Sequence, residues 1–451
     1  MGKRLTAFLA LSFSVVLSAC SSGGGATPTA GVSSAPTTAP VSAAPPSAAA
    51  VSCDKLVVLN HRTDLDESGA YDKLYVQPFK AKYPGIKAVS VETIRDYHNL
   101  VKTRMNTEDY GDVLVIPNTV GLGDLPTFFE PLGKLEDLSK TYRFVTEGTV
   151  DGVVYGIPIN GNAQGLVYNK KVYAAAGITT WPKTPDEFIA DLKAIKDKTG
   201  AIPLYTNYKD VWPLSQWEGN RGEISGDPDA GNKLAHDASP WDAGKEHYVI
   251  DKLIYDAVHQ GLTEKDPTTT DWEPSKQLIA DGKVATMDLG SWAVSQMQGK
   301  AVGHEADIGY MPFPTQVDGV FHSSIGGDLK MAINIHSKCK EAARAWLDWF
   351  VGDSNYASNE NGIPTLLSGT APSWLDEFQK QGVKTFELPA APKGEEGLTD
   401  KIIKDSEIDL WGAKYRQGII DAARGQVDKT LDAIFKDLNA KWAAAKTADG
   451  G

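Results

Sequence analysis

The amino-acid sequence predicts an α/β protein folded as two lobes, and three observations carry that expectation. The chain from Cys53 to Gly451 exceeds the roughly 250–300 residues at which a single hydrophobic core usually stops growing. Short runs rich in β-branched residues, Leu56-Val57-Val58-Leu59 and Asp112-Val113-Leu114-Val115-Ile116, flank a segment that reads as helix. That order implies parallel strands buried on both faces and covered by helices. Further along, apolar residues recur at helical spacing between distinct start and stop signals.

At the N-terminus, Lys3 and Arg4 precede an apolar stretch over residues 5–17 that runs into Leu17-Ser18-Ala19-Cys20. A positive head, an apolar middle and small residues make residues 1–19 a secretory signal peptide. Small residues followed by a thiol resemble the lipobox of bacterial lipoproteins. That resemblance implies that Cys20 is acylated and holds the protein on the outer face of the cell membrane. Residues 21–52 contain only Ser, Gly, Ala, Thr, Pro and Val, too little apolar surface to offset ordering. With Cys20 they form a tether, and as a flexible coil its reach is about 30 Å.

Beyond the leader, no stretch approaches the roughly 20 apolar residues of a membrane span. The formal net charge of -13 argues against nucleic acid and against broad contact with anionic lipid. Cys53 and Cys339 remain as an even pair in an oxidising compartment, a possible disulfide. No CxxC or Cys/His cluster suggests a metal, and no cofactor motif occurs. A monomer is expected.

In the body, Thr184-Pro185-Asp186-Glu187 supplies a hydroxyl N-cap, proline in the first turn and a glutamate placed for a capping box. Phe188, Leu192 and Ile195 follow at helical spacing, and Gly200 stops the element. Ala343, Leu347 and Phe350 form a second stripe ended by Gly352, and Leu431, Ile434, Leu438 and Trp442 mark a last amphipathic helix.

Several stretches then resemble one family, the carbohydrate-binding solute receptors of ABC importers (maltose-binding-protein-like, family 1 type). They are Tyr155-Gly156-Ile157-Pro158, Gly165-Leu166-Val167-Tyr168-Asn169-Lys170, Ala176-Gly177-Ile178, the 182–188 helix start, Gly282-Lys283-Val284-Ala285-Thr286-Met287 with Gly290-Ser291-Trp292, and Asp307-Ile308-Gly309-Tyr310-Met311-Pro312-Phe313-Pro314. Gly326-Gly327-Asp328 and the stretch from Trp411 to Leu431 complete an ordered set that spans the body. The resemblance implies a two-lobed periplasmic-binding-protein-like fold of type II, with crossing strands as the hinge and the ligand between the lobes. One lobe takes residues 53–160 and 326–369, the other 161–325 and 370–451. It further implies a carbohydrate ligand and the permease subunits of an importer as partners.

A sugar site needs aromatic plates for C–H faces and amides or carboxylates for hydroxyl rims. Trp292 matches a stacking position of the family, and Trp212, Trp217 and Trp411 lie where the family adds cleft aromatics. Asn162 aligns with a crossover position that hydrogen-bonds sugar. Asp64 and Asn118 follow strands, where ligands of open sheets collect. Gly327 lets backbone approach a ligand, and Asp328 is placed to accept hydroxyls. Arg62 either clamps a carboxylated sugar or pairs with Asp64 or Asp66.

The chain lacks HExxH, GxSxG and GxxxxGK[ST], so an enzyme is not the expectation. A secreted glycosidase needs only two carboxylates and stays as an alternative, as does a two-lobed accessory that presents its ligand to a sensor.

Overall fold

The Leu56 run forms the strand Leu56–Asn60, and the computed structural model, which describes residues 51–411 and 414–450, places it inside a five-stranded sheet. The signal peptide, Cys20 and the tether up to residue 50 lie outside the described residues. Sheet order is Val89–Thr93, Leu56–Asn60, Val113–Val115, Lys330–Ile333, Ile157–Pro158. The first three strands are parallel, as their spacing predicts, but Lys330–Ile333 runs antiparallel to both of its neighbours. The sheet is therefore mixed, because the chain returns to it directly from the crossing strands instead of through a helix.

Both faces of this sheet are covered, which is why its strands read as continuous apolar runs. Leu56, Val58 and Val113 pack on Tyr75, Phe79, Trp346 and Phe350, while Leu59 and Leu114 face Val101 and Phe129. Each such side chain contributes roughly 1.5–3 kcal/mol by leaving water. The stripe of Ala343, Leu347 and Phe350 forms helix Lys340–Val351, with Trp346 and Trp349 also in the core. At its N-cap, Cys339 is bonded to Cys53 with their Cα atoms 5.8 Å apart, inside the usual range for a disulfide.

A second sheet has the order Ile202–Leu204, Val284–Asp288, Leu166–Asn169, Ile308–Met311. Helix Pro185–Lys198 lays Phe188, Leu192 and Ile195 on one face of it. Thr184 caps this helix by accepting the Glu187 N–H at 3.1 Å, and Glu187 reaches back one residue beyond the cap, to the Lys183 N–H at 2.7 Å. Met287, Ile308 and Tyr310 face the other way, against Val294, Met297 and Phe378. Helix Leu431–Asp449 buries Phe435, Leu438, Trp442 and Ala445 against a satellite core that includes Trp241.

Between the two sheets run two paired crossing strands, and the chain passes over a third time before Trp374 and Phe378 rejoin the second sheet's core. Gly161–Ala163 pairs antiparallel with His322–Gly327, which pairs in parallel with Lys384–Glu387 on its other side. These three strands form a small sheet of their own, and residues 326–329 lead from it back into the first sheet. Among the described residues no helix is long and apolar enough to cross a membrane, and no group of His, Cys, Asp or Glu could hold a metal ion.

Candidate functional site

At the C-terminal end of Leu56–Asn60, Asn60 folds the turn that carries the first candidates. Its Oδ1 accepts the Arg62 N–H at 3.0 Å and its Nδ2 donates to Thr93 Oγ1 at 3.1 Å. His61 stands edge-on to Tyr97 with ring centroids 5.9 Å apart, and burial, aided by the Arg62 charge, brings its imidazole down to about 3. It is a neutral group at pH 7. Arg62 forms a two-pronged pair with Asp64 at 2.9 and 2.7 Å, donates to the Tyr356 hydroxyl at 3.0 Å and pairs with Glu360 at 2.8 Å. Its fork is already occupied, so of the two roles expected for Arg62 the structure supports the internal ion pair. Asp64 keeps 64% of its side chain exposed, and the Arg62 hydrogen bond holds its carboxyl below the usual value. Asn118 is exposed, its backbone N–H donating to His98 Nδ1 at 3.2 Å.

The crossing strands bring Asn162, Asp328 and the Gly290-Ser291-Trp292 turn together. Asn162 pairs with Gly326 in the ladder, its side chain donates to Asp328, and its Oδ1 accepts Ser291 Oγ at 3.4 Å. Ser291 is sewn to the crossing strand by Ala163, whose N–H donates to Ser291 Oγ at 3.0 Å and whose carbonyl accepts the Ser291 N–H at 2.9 Å. Burial raises the Asp328 carboxyl, while the Leu329 N–H and the Asn162 amide favour its anion. Gly327 has a different task from the one expected. A Cβ there would stand 2.4 Å from Pro158 Cγ, and its N–H donates to Glu147 Oε1 at 2.6 Å. Its bare backbone lets two chain segments cross.

Trp292 opens helix Trp292–Gln298 at the end of the Val284–Asp288 strand. Its indole packs over Gly290, where a Cβ would meet ring carbon Cδ1 at 2.6 Å. Trp212 and Trp272 complete an aromatic triad, with centroids 5.9 Å (Trp212–Trp292), 5.6 Å (Trp272–Trp292) and 5.0 Å (Trp212–Trp272) apart. Trp212 is 37% exposed, and the other two rings are half-buried. Gln216 Oε1 lies 3.4 Å from both the Trp292 indole nitrogen and the Gly290 nitrogen. Lys276 Nζ sits 4.9 Å from the Trp272 centroid. Apolar plates beside an amide are what a sugar face and its hydroxyl rim require.

Trp217 does not join them. It is 2% exposed and packs on Phe313, 6.3 Å between centroids, so its role is core packing, a correction to the expectation from sequence. Trp411 is 53% exposed, with the Arg221 guanidinium 6.0 Å from its ring centre. Sequence reasoning missed Trp272, Gln216 and Ser291. The one available signal for Trp272 was its place just after an Asp271 N-cap, where a first-turn side chain is not committed to the apolar stripe.

Asp288, the last residue of the strand that leads to the Gly290-Ser291-Trp292 turn, belongs to a group of buried polar residues. Asn220 donates to Asp288 Oδ2 at 2.8 Å, and Glu223 Oε1 accepts the Ser324 N–H at 2.7 Å. Burial pushes the Asp288 carboxyl up to about 8 and the Glu223 carboxyl well above its ordinary value, the latter with a contribution from Asp288. A raised acid holds its proton in the folded chain while the unfolded chain releases it from about pH 4 upward. The contribution of Asp288 to stability therefore falls as pH rises from about 4 to about 8 and levels off above. Asp288→Asn is expected to flatten that fall: between pH 5 and pH 8 the variant should lose at least about 1 kcal/mol less than the parent, read from denaturation midpoints. Equal losses would show that Asp288 is ionised in the folded protein.

With this geometry in view, the family model for bacterial extracellular solute-binding proteins matches residues 62–357. The chain belongs to that family. Its fold is the two-lobed type II fold of these proteins, with sheets flanked by helices. Among solved structures, a manno-oligosaccharide-specific solute-binding protein of Bifidobacterium animalis subsp. lactis, in complex with mannotriose, has a TM-score of 0.82 and 36% identity, covering 88% of this chain and 95% of its own. A second binding protein of an ABC transporter from the same organism, in complex with mannobiose, gives 0.81 and 37%, with 88% and 95% coverage. Among curated relatives, the diacetylchitobiose binding protein DasA of Streptomyces coelicolor is 28% identical over 323 residues, covering 65% of this chain and 71% of the relative.

Proposed function

We propose that this protein captures an oligosaccharide between its two lobes and hands it to the permease of an ATP-driven importer, without chemical turnover. The observation that carries the reading is the Trp212–Trp272–Trp292 triad, aromatic plates held at a strand end beside the Gln216 amide and joined through Ser291 to the crossing strands. The lobes are residues 53–160 with 326–369 and residues 161–325 with 370–451. Membrane attachment through acylated Cys20 and the tether of residues 20–52 belongs to the same proposal. Manno-oligosaccharides are the first ligands to test, because the two similar Bifidobacterium proteins were solved with mannotriose and mannobiose.

Asp64, Asn118, Asn162, Asp328 and Trp411 supply the polar rim and a second aromatic plate. Closure transmits binding to the permease only if the ligand prefers the closed arrangement of the lobes to the open one. The link from Trp292 through Ser291 to Ala163 and Asn162 supports that coupling, since a ligand stacked on Trp292 bears directly on the crossing strand. Trp292→Ala is expected to weaken mannotriose binding at least tenfold, a loss of about 1.4 kcal/mol, in calorimetric titration. An unchanged affinity removes Trp292 from the site. Release of reducing ends from the sugar by the purified protein would instead make it a glycosidase.

A further inference from the structure

After strand Lys384–Glu387 the chain leaves the small sheet as an irregular strap over residues 388–397. Pro389 and Pro392 stiffen it, and Gly394 and Gly397, at φ +87° and +82°, turn it back. On one side the strap is tied to the segment that carries Leu234 and Ala235 into the satellite core: Asn232 Nδ2 donates to the Ala390 carbonyl at 3.0 Å, and His236 Nε2 lies 2.8 Å from Glu395 Oε2. On the other side it faces residues carried by the first sheet. A cavity of about 220 Å³ separates it from Thr146 and Glu147, and one of about 210 Å³ separates it from Asp151 and Gly152. The strap therefore lies between the satellite core and residues next to Val145 and Val154 of the first core.

The larger of these cavities adjoins the crossing strand through Glu147. Glu147, on its wall, accepts the Gly327 N–H of the crossing strand and pairs with Lys330 at 3.1 Å. Asp400, on the opposite wall, feels the charge of Arg221, the residue that lies over Trp411. Trp212 begins the helical segment that Arg221 ends, on the order of 15 Å along a mixed α and 3₁₀ path.

We infer that the strap of residues 388–397 closes one end of the groove and sets the length of the oligosaccharide that binds. The inference rests on the reading of this protein as an oligosaccharide receptor. At about 220 Å³ the cavity is smaller than the roughly 300–1,000 Å³ of a whole ligand site, so it takes the end of a ligand and not all of it. No aromatic ring lines it. Its polar residues include Glu147, Glu395, Asp400, Asn232, Thr146 and Thr399, carboxylates, an amide and hydroxyls suited to the hydroxyl edge of a terminal ring. A chain one ring longer would meet the prolines of the strap.

Calorimetric titration of the full chain with linear manno-oligosaccharides, from the disaccharide to the hexasaccharide, tests this. The parent protein should show a best length and lose at least tenfold in affinity beyond it. A variant with residues 390–396 replaced by two glycines should bind the longer chains as tightly as the best one. P389G/P392G, which alters exposed residues only, should recover at least threefold of the loss and guards against misfolding of the shortened strap. A parent that binds the hexasaccharide as well as its best ligand, or variants that keep the same length limit, overturns the strap inference and leaves the receptor reading standing. A parent that binds no oligosaccharide overturns the receptor reading and the strap inference with it.

Discussion

Arg416→Met is expected to destabilise the protein by about 3–5 kcal/mol, the largest loss of any single substitution proposed for this chain. Arg416 is fully buried on helix Lys414–Ala423 and donates to Asp251 at 2.9 Å, to Glu218 at 2.8 Å and to the Leu214 carbonyl at 3.2 Å. Glu218 also meets His247 at 3.0 Å and Arg221 at 3.1 Å, while Asp251 accepts the Trp241 indole N–H at 2.8 Å. Burial alone would raise the Glu218 carboxyl. The charges of His247, Arg221 and Arg416 outweigh it and hold this group well below the usual carboxylate range. Methionine restores the volume but leaves two buried carboxylates short of their shared cation.

The same substitution reaches the binding face. Leu214 and Glu218 belong to the segment between Trp212 and Arg221, so Arg416 fixes the backbone on which the exposed Trp212 stands. Urea denaturation at pH 7 reads the stability loss, and sugar titration of the folded fraction should show a weaker site. Adding Glu218→Gln and Asp251→Asn to Arg416→Met should recover part of the stability, because the uncompensated charges go with the arginine. A loss under about 1 kcal/mol would mean that His247 and Arg221 alone satisfy the cluster.

How much of this was legible in the sequence differs by kind of feature. Helix Pro185–Lys198 was, because its cap, first-turn proline and apolar spacing are all local and agree. Strand Val89–Thr93 was not: it sits at the edge of its sheet with every residue half-buried, so Val-Ser-Val-Glu-Thr carries no continuous apolar run. Trp212 and Trp217 looked alike as candidates, yet five helical positions rotate a side chain by about 140°, and the structure turns one to the surface and the other into the core. That distinction could have been drawn from spacing alone. The Arg416 cluster could not, since its carboxylate partners lie 198 and 165 residues away along the chain.

Loss of the Cys53–Cys339 bridge is the second large effect expected, and it should separate stability from binding. The bond closes a loop of 286 residues in sequence, so in the chain-entropy account its removal releases up to about 5 kcal/mol of freedom to the unfolded chain. Part of the native contact survives without it. Cys53 still forms a bridge to Ile86, its N–H donating to the Gly85 carbonyl at 3.3 Å and its carbonyl accepting the Lys87 N–H at 2.9 Å. For the double variant Cys53→Ser, Cys339→Ser, a loss of about 3–5 kcal/mol and a fall in Tm of about 4–6 °C are therefore expected. Both cysteines pack in the core of the first sheet, with Tyr75, Phe79 and Trp346. The bridge does not span the two crossing segments, so it restrains one core and leaves the hinge free. Mannotriose affinity of the folded double variant should stay within twofold of the parent. An affinity that fell together with Tm would show that the order of the first core sets the geometry of the groove, and would place the disulfide in the binding mechanism as well as in the fold.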